Sequence, residues 1–374
     1  MEQHHLNYKD TVNFGSYYTP QILVDMVYGM LAKNIENISD YTIIDTSCGY
    51  GGFLRGENTI GADIDEMALI TAKKNNPSAS FYCHNSLKNI SLTQYNLNNE
   101  NKIIIVGNPP YNDATSLIKN HIKQEAAEID KDIKSQDLGI SFLQSYNKLG
   151  ADFVCVLHPL SYLIKKANFE RMGRFTKNYK LIDALIISSG EFSKTSKTTQ
   201  FPIVIAMYHR DNWGMKYYDI CDWNFKTKEG KQFKLANFDK IDNYITKYPN
   251  KKYISLDNTV AYFWTMRDIN ALKRTKTFIE KENTSSIRVT KDKFAHYCYA
   301  DIFKENIKHI PYYFGNCDIF INNDKFNDLR DLFIEKSTSK YKFLNKYNFL
   351  ELASKNEGNI DNYFRNLLGE HYVD

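Results

Sequence analysis

The stretch Thr42-Ile43-Ile44-Asp45-Thr46-Ser47-Cys48-Gly49-Tyr50-Gly51-Gly52 is a short apolar run that ends in a carboxylate and then turns through three glycines in four positions. Its length and β-branched content read as a buried strand. Glycines at that density let the backbone turn tightly and come close to a ligand. Six more apolar runs of this kind follow, at residues 59–64, 80–83, 102–106, 153–157, 181–188 and 202–208. Helical patterns separate them at 21–34, 66–75, 138–149 and 162–175. Apolar strands alternating with helices predict an α/β fold, a Rossmann-like seven-stranded sheet that is parallel and covered on both faces. Ligands of such sheets bind beyond the carboxyl ends of the strands, so the chemistry is expected there.

Outside this region the composition changes. The 374 residues carry 48 Lys+Arg and 44 Asp+Glu, a net charge of only +4. Residues 1–212 hold 21 basic and 22 acidic side chains, whereas residues 213–374 hold 27 and 22. Aromatics follow the same split, 22 before residue 213 and 31 after it. Two domains are therefore expected, 1–212 and 213–374, the second a basic α+β domain suited to phosphates and stackable rings. No apolar stretch is long enough to span a bilayer, and the first residues lack a signal-peptide pattern. The six cysteines form no CxxC pair, which predicts reduced thiols, no structural metal and a cytoplasmic protein.

Each strand end carries an unusual residue. Asp45 closes the first, and the glycine turn behind it lacks the lysine of a phosphate-binding P-loop. Asp63 closes the second, where a ribose diol is held in dinucleotide folds, while Asp65 reads as the cap of the next helix. Asn85 follows the third and offers a donor and an acceptor suited to a purine edge, or else forms a turn. After the fourth comes Gly107-Asn108-Pro109-Pro110-Tyr111. Two prolines stiffen the chain and leave the Asn108 amide oxygen and the Pro109 carbonyl free to accept. Two converging acceptors grip an NH2 group, and Tyr111 can stack on the ring that bears it.

On these residues the chain resembles the S-adenosylmethionine-dependent amino-methyltransferases of DNA, specifically the gamma-class adenine-N6 enzymes of restriction–modification systems, over roughly residues 14–210. Gly15-Ser16-Tyr17-Tyr18-Thr19-Pro20 resembles the family's N-terminal motif, with Thr19 read as a helix cap and Pro20 as the first helical residue. The resemblance implies S-adenosyl-L-methionine as cofactor, held by Thr19, Asp45, Ser47, Gly49, Asp63 and Asn85. It implies catalysis by Asn108, Pro109, Pro110 and Tyr111 on an adenine flipped out of double-stranded DNA. Tyr111 would stack that base together with Phe192 or Phe201, of which Phe192, expected in a loop, is preferred. Residues 213–374 would recognise the target. A separate cognate restriction endonuclease, a monomeric or dimeric state and no membrane association complete the expectation, with the loop 112–137 as a candidate lid. Asn85 departs from the family, which places Asp at that point. The motif also suits a glutamine amide, so an RNA or protein-glutamine N-methyltransferase is the alternative, as is a non-catalytic nucleic-acid-binding subunit.

Overall fold

In the computed structural model, residues 19–111, 128–192, 200–344 and 359–374 are described. The chain divides into two units with the boundary between Gln232 and Phe233.

The first unit is built on one mostly parallel sheet. Its strands are β1 (Thr42–Asp45), β2 (Thr59–Asp63), β3 (Ser80–Cys83), β4 (Ile103–Gly107), β5 (Phe153–Pro159), β6 (Tyr179–Ser188), β7 (Pro202–Arg210) and β8 (Phe225–Thr227), with the two-residue β9 (Gln232–Phe233) falling on the boundary itself. They lie in the order β3-β2-β1-β4-β5-β7-β6-β8-β9. β1 and β4 are buried along their whole length, as the runs of isoleucine and valine require. The order reverses at β1, and β1 and β4 register Ile44 against Ile105, so their carboxyl ends leave the sheet side by side.

Two expectations need correction. The sheet is not wholly parallel: β7 runs antiparallel to both β5 and β6. The reason is the short connection from Ser189 to Phe201, closed by Ser189 N–H donating to the Phe201 carbonyl at 2.9 Å. A hairpin connection can only join antiparallel neighbours. Nor does the sheet stop at seven strands or at residue 212. β8 pairs in parallel with β6, and β9 follows it. Strands of three and two residues are too short to announce themselves by periodicity.

Helices α1 (Gln21–Asn34), α2 (Glu66–Asn75) and α3 (Leu138–Leu149) fall where the sequence pattern puts them. Asp65 caps α2 by accepting from Met67 and Ala68 N–H. Asp137 caps α3, and Gly150 ends it at φ +76°. The stretch 162–175 is not one helix but three short ones, α4 (Ser161–Ile164), α5 (Lys166–Arg171) and α6 (Arg174–Asn178). Gly173 breaks it with φ +55°, and a Cβ there would lie 2.6 Å from Gln144 Nε2. α1 covers one face of the sheet through Leu23, Val24, Val27 and Leu31. Its end is tied to β6 by Lys33 and Asn34, which donate to Asp183 at 2.7 and 3.1 Å.

The second unit is α+β. Strands β11 (Ala261–Trp264), β12 (Phe278–Ile279) and β13 (Ser286–Val289) form an antiparallel sheet, and β10 (Asp239–Lys240) pairs with β14 (Phe320–Ile321). The helix Phe294–Glu305 is buried along most of its length. Its Asp301 accepts from Thr277, Tyr341 and Ser337 hydroxyls at 2.6, 2.9 and 2.9 Å and pairs with Lys340. The abundant aromatics of this half are mostly core: Phe263, Tyr299, Phe303, Phe314, Phe320, Phe326, Phe333 and Phe364 are all buried. Among the described residues their number therefore largely reports packing.

Candidate active site

The site grows from the adjacent ends of β1 and β4. Asp45, the last residue of β1, is buried, and its Oδ1 accepts from Ser47 N–H at 3.1 Å. Burial, reinforced by the nearby Asp63 and opposed by the Ser47 N–H, pushes its carboxyl up to about 8. The glycine turn then bends back, with Gly49 and Gly51 at φ +50° and +76°. Asp63 fastens this turn to the end of β2: Oδ2 accepts from Gly49 N–H at 2.8 Å and Oδ1 from Asp65 N–H at 2.9 Å. Burial raises the Asp63 carboxyl too, against the pull of those backbone donors. Cys48, between the two acids, is held as a thiol by burial and by both carboxylates.

Gly107 ends β4 at φ +144°, and a Cβ on it would stand 2.8 Å from Asp45 Oδ1. The backbone that leads into Asn108 therefore passes directly over the carboxyl of β1. Asn108 Nδ2 donates to Thr19 Oγ1 at 3.2 Å. Its Oδ1 is buried and has no hydrogen-bond partner among the described residues. An unsatisfied buried amide oxygen costs about 1–3 kcal/mol, so at a strand end it is suited to receive a donor from beyond the described residues. Ser47 Oγ, beside Asp45, and His84 Nε2, after β3, are orphaned in the same way.

Pro109 is buried, and Tyr111 is partly covered. Tyr111 Cβ stands 3.0 Å from where a Cβ on Gly139 of α3 would be, and the Tyr162 hydroxyl stands 2.5 Å from that same point. Tyr162 also donates to the capping carboxylate of Asp137 and stacks on His158 with centroids 5.2 Å apart. Burial brings the His158 pKa down to about 4, so that ring is neutral.

Two expectations change, for Thr19 and Phe192, while Asn85 takes the turn-forming role read as its alternative. Thr19 does not cap α1: Pro20 holds the cap position with no side-chain bond, and the Thr19 hydroxyl faces Asn108 instead. Proline fixes an extended approach to the helix, which turns the Thr19 side chain away from the first-turn amides. Asn85 is occupied as a turn former, its Oδ1 accepting from Leu87 N–H at 3.0 Å and its Nδ2 donating to the Glu128 carbonyl at 2.9 Å. Phe192 does not display its ring in a loop. It is 2% exposed and packs in the sheet core with Leu23, Ile187 and Ile203, while Phe201 packs against that core partly covered. Residues 15–18, most of the loop 112–137 and residues 193–199 lie outside the described residues.

No family model matches the sequence, and no curated protein matches it. Solved structures do. A candidate class I S-adenosylmethionine-dependent methyltransferase of Listeria monocytogenes is similar at 14% identity and a TM-score of 0.40, over 55% of this chain and 64% of that one. The methyltransferase subunit of a type I restriction–modification system of Streptococcus thermophilus is similar at 13% identity and 0.39, over 60% and 48%. A candidate RNA methyltransferase of Pyrococcus horikoshii is similar at 12% identity and 0.37, over 53% and 88%.

Residue types alone pointed to Asp45, Asp63, Asn108 and Tyr111. They gave no hint of the Thr19–Asn108 bond, which joins positions 89 residues apart, nor of Gly107 as the point of contact with Asp45. His84 carried only the ambiguous signal of a lone histidine. Among the described residues no three His, Cys, Asp or Glu side chains gather as metal ligands, none of the six cysteines forms a disulfide, and no helix is long and apolar enough to cross a membrane.

Proposed function

We propose that the chain transfers a methyl group from S-adenosyl-L-methionine to N6 of an adenine in double-stranded DNA, as the modification enzyme of a restriction–modification system. The observation that carries this reading is the buried Asn108 Oδ1, unpartnered among the described residues and held by Thr19 beside the stiff Pro109-Pro110 turn.

The donor set suits such a cofactor. Asp45 and Ser47 would take its charged amino-acid end, the turn at Gly49 would lie along it, and Asp63 would accept from its ribose. An unfilled hydroxyl at Ser47 Oγ and a glycine-lined turn support that fit. When bound, the cofactor supplies a methyl group on a positively charged sulfur. The remaining work belongs to the chain. Asn108 Oδ1 and the Pro109 carbonyl would accept the two N–H bonds of the target amine, drawing its lone pair out of conjugation with the ring and fixing its direction. This is catalysis by positioning and preorganised dipoles, typically the largest contributions where no covalent intermediate forms. Burial and the nearby Asp45 and Asp63 push the Cys48 thiol pKa up, which disfavours a thiolate route through the ring carbon of cytosine.

The target base would have to leave its duplex to reach Asn108. Tyr111 supports one face of it in this reading. The unit beginning at Phe233 would supply the remaining DNA contacts. Incubation of DNA with the protein and labelled S-adenosyl-L-methionine, followed by mass spectrometry of the nucleosides, tests the proposal. N6-methyladenine is expected. N4-methylcytosine would preserve the amine mechanism and correct the base, C5-methylcytosine would overturn the mechanism, and label in protein or RNA alone would move the substrate.

A further inference from the structure

The segment 244–260 of the second unit, leading into β11, presents an unusual surface. Tyr248, Tyr253 and Leu256 are 52%, 85% and 58% exposed, and Lys251 and Lys252 between them are exposed as well. Single exposed apolar side chains are ordinary, but several gathered on one short loop mark an interaction surface.

The loop is fixed from beneath. Asn250 is 6% exposed, and its amide makes a paired contact with the backbone of β13: Nδ2 donates to the Arg288 carbonyl at 3.0 Å and Oδ1 accepts from Arg288 N–H at 2.8 Å. The Arg288 side chain reaches back, with Nη1 donating to the Ile254 carbonyl at 2.6 Å and the Lys251 carbonyl at 3.4 Å. Tyr253 N–H and Ile254 N–H close a turn onto the Asn250 carbonyl at 2.8 and 3.1 Å. Such a loop has little conformational freedom left to lose on binding.

Its charges are also sorted. Arg288 is balanced by Glu282 at 2.7 and 3.1 Å, and Lys247 by Asp318. Glu282, the acid that feels Lys251, is thus already engaged by Arg288. Among the described residues neither Lys251 nor Lys252 forms an ion pair, and their charge faces solvent.

We propose that this loop is a DNA contact, in which Lys251 and Lys252 neutralise backbone phosphates while Tyr253 lays its ring against a base or sugar. Two adjacent ammonium groups flanked by tyrosines match the alternation of phosphate and ring along a nucleic-acid strand. An acidic peptide would satisfy the lysines and leave the ring faces idle. The choice of DNA rests on the function proposed above.

The full-length protein is titrated with a fluorescein-labelled 30-base-pair DNA duplex by anisotropy from 50 to 300 mM salt, with matched single-stranded RNA and polyglutamate as competitors. Lys251→Ala/Lys252→Ala should reduce the magnitude of the log–log salt slope by about 2, since each neutralised phosphate contributes about 0.9. Tyr253→Ala should weaken binding about tenfold with the slope unchanged. Melting temperature and cofactor affinity should match the wild type in both variants, because none of these side chains is buried. Wild-type affinity and slope in both variants would overturn the proposal while leaving the methyltransferase reading standing. Failure of the wild type to bind DNA would overturn both. Polyglutamate or RNA competing as well as DNA would reject DNA as the occupant.

Discussion

Asp45 Oδ1 lies 2.8 Å from the point where a Cβ on Gly107 would stand. The carboxyl at the end of β1 and the backbone that carries Asn108 are thus one packed unit. Whatever occupies or charges Asp45 is felt where the target amine would bind. Gly107→Ala adds a methyl group against that oxygen and forces an L-residue into φ +144°. A loss of about 1–3 kcal/mol is expected, read as a lower melting temperature. In an Asp45→Ala background the same change should cost less, because only the backbone strain remains. A double-mutant cycle with no coupling between the two positions would dissolve the relationship.

Asp45 also sets a pH dependence with a definite sign. Its carboxyl titrates at about 8 in the folded chain and near 3.8 in a solvated one. A raised acid stabilises the fold fully below the unfolded value, and that stability is lost as pH rises through about 8. Asp45→Asn keeps the neutral form throughout, so its melting temperature should exceed the wild type's by a margin that widens from pH 5 to pH 8. Binding behaves the opposite way. An ammonium group on the cofactor needs the ionised carboxylate, so affinity for S-adenosylhomocysteine should rise from pH 6 to pH 7.5 with a proton released on binding. Calorimetry in buffers of different ionisation enthalpy reads that proton, and none should be released by Asp45→Asn.

Chemistry and cofactor binding should separate cleanly at two other positions. Asn108→Ala should abolish transfer while leaving cofactor affinity near the wild-type value. Asp63→Ala should weaken cofactor binding by roughly 1–3 kcal/mol, through lost charge-assisted hydrogen bonds and a loosened Gly49 turn. Calorimetry giving the reverse pattern would exchange their roles.

Thr19 tests the orientation of the amide. If its hydroxyl holds the Asn108 NH2 so that Oδ1 faces the target, Thr19→Val should slow single-turnover transfer about 10- to 100-fold at unchanged cofactor affinity, because misplacement of about an ångström carries that cost. Thr19→Ser restores the oxygen and should restore the rate. A cofactor affinity that falls in step with the rate would make Thr19 a cofactor ligand instead.

Much of this was legible in the residues because strand ends are local. Asp45, Asp63 and Asn108 each close an apolar run, and the run itself predicts where the side chain emerges. Asp65 as a cap was equally local. What the sequence concealed depends on distant partners. Thr19 looks like a helix cap until Asn108 is brought to it, and Phe192 looks like a loop aromatic until α1 covers the sheet. The antiparallel β7 and the added β8 depend on pairing choices that apolar content does not encode. Most aromatics of the second unit are likewise explained only once the core is seen.

The two aromatics expected to stack a flipped base should therefore behave differently. Phe192 is a core residue, so Phe192→Ala should lower stability by about 3–5 kcal/mol through lost burial and the cavity left behind. Tyr111 is partly exposed beside Asn108, so Tyr111→Ala should change stability little. Its effect belongs to the target: base–aromatic stacking is worth about 1–3 kcal/mol, and transfer should slow accordingly. With 2-aminopurine at the target position, wild-type binding should raise fluorescence as the base leaves its neighbours. A mismatch opposite the target should tighten binding, since part of the cost of extrusion is already met. Tyr111→Ala should diminish both responses, and Phe192→Leu, which keeps the core filled, should leave both intact. If Phe192→Leu instead abolishes the fluorescence change in a protein that melts normally, the ring must leave the core during the reaction, and Phe192 returns as the stacking residue.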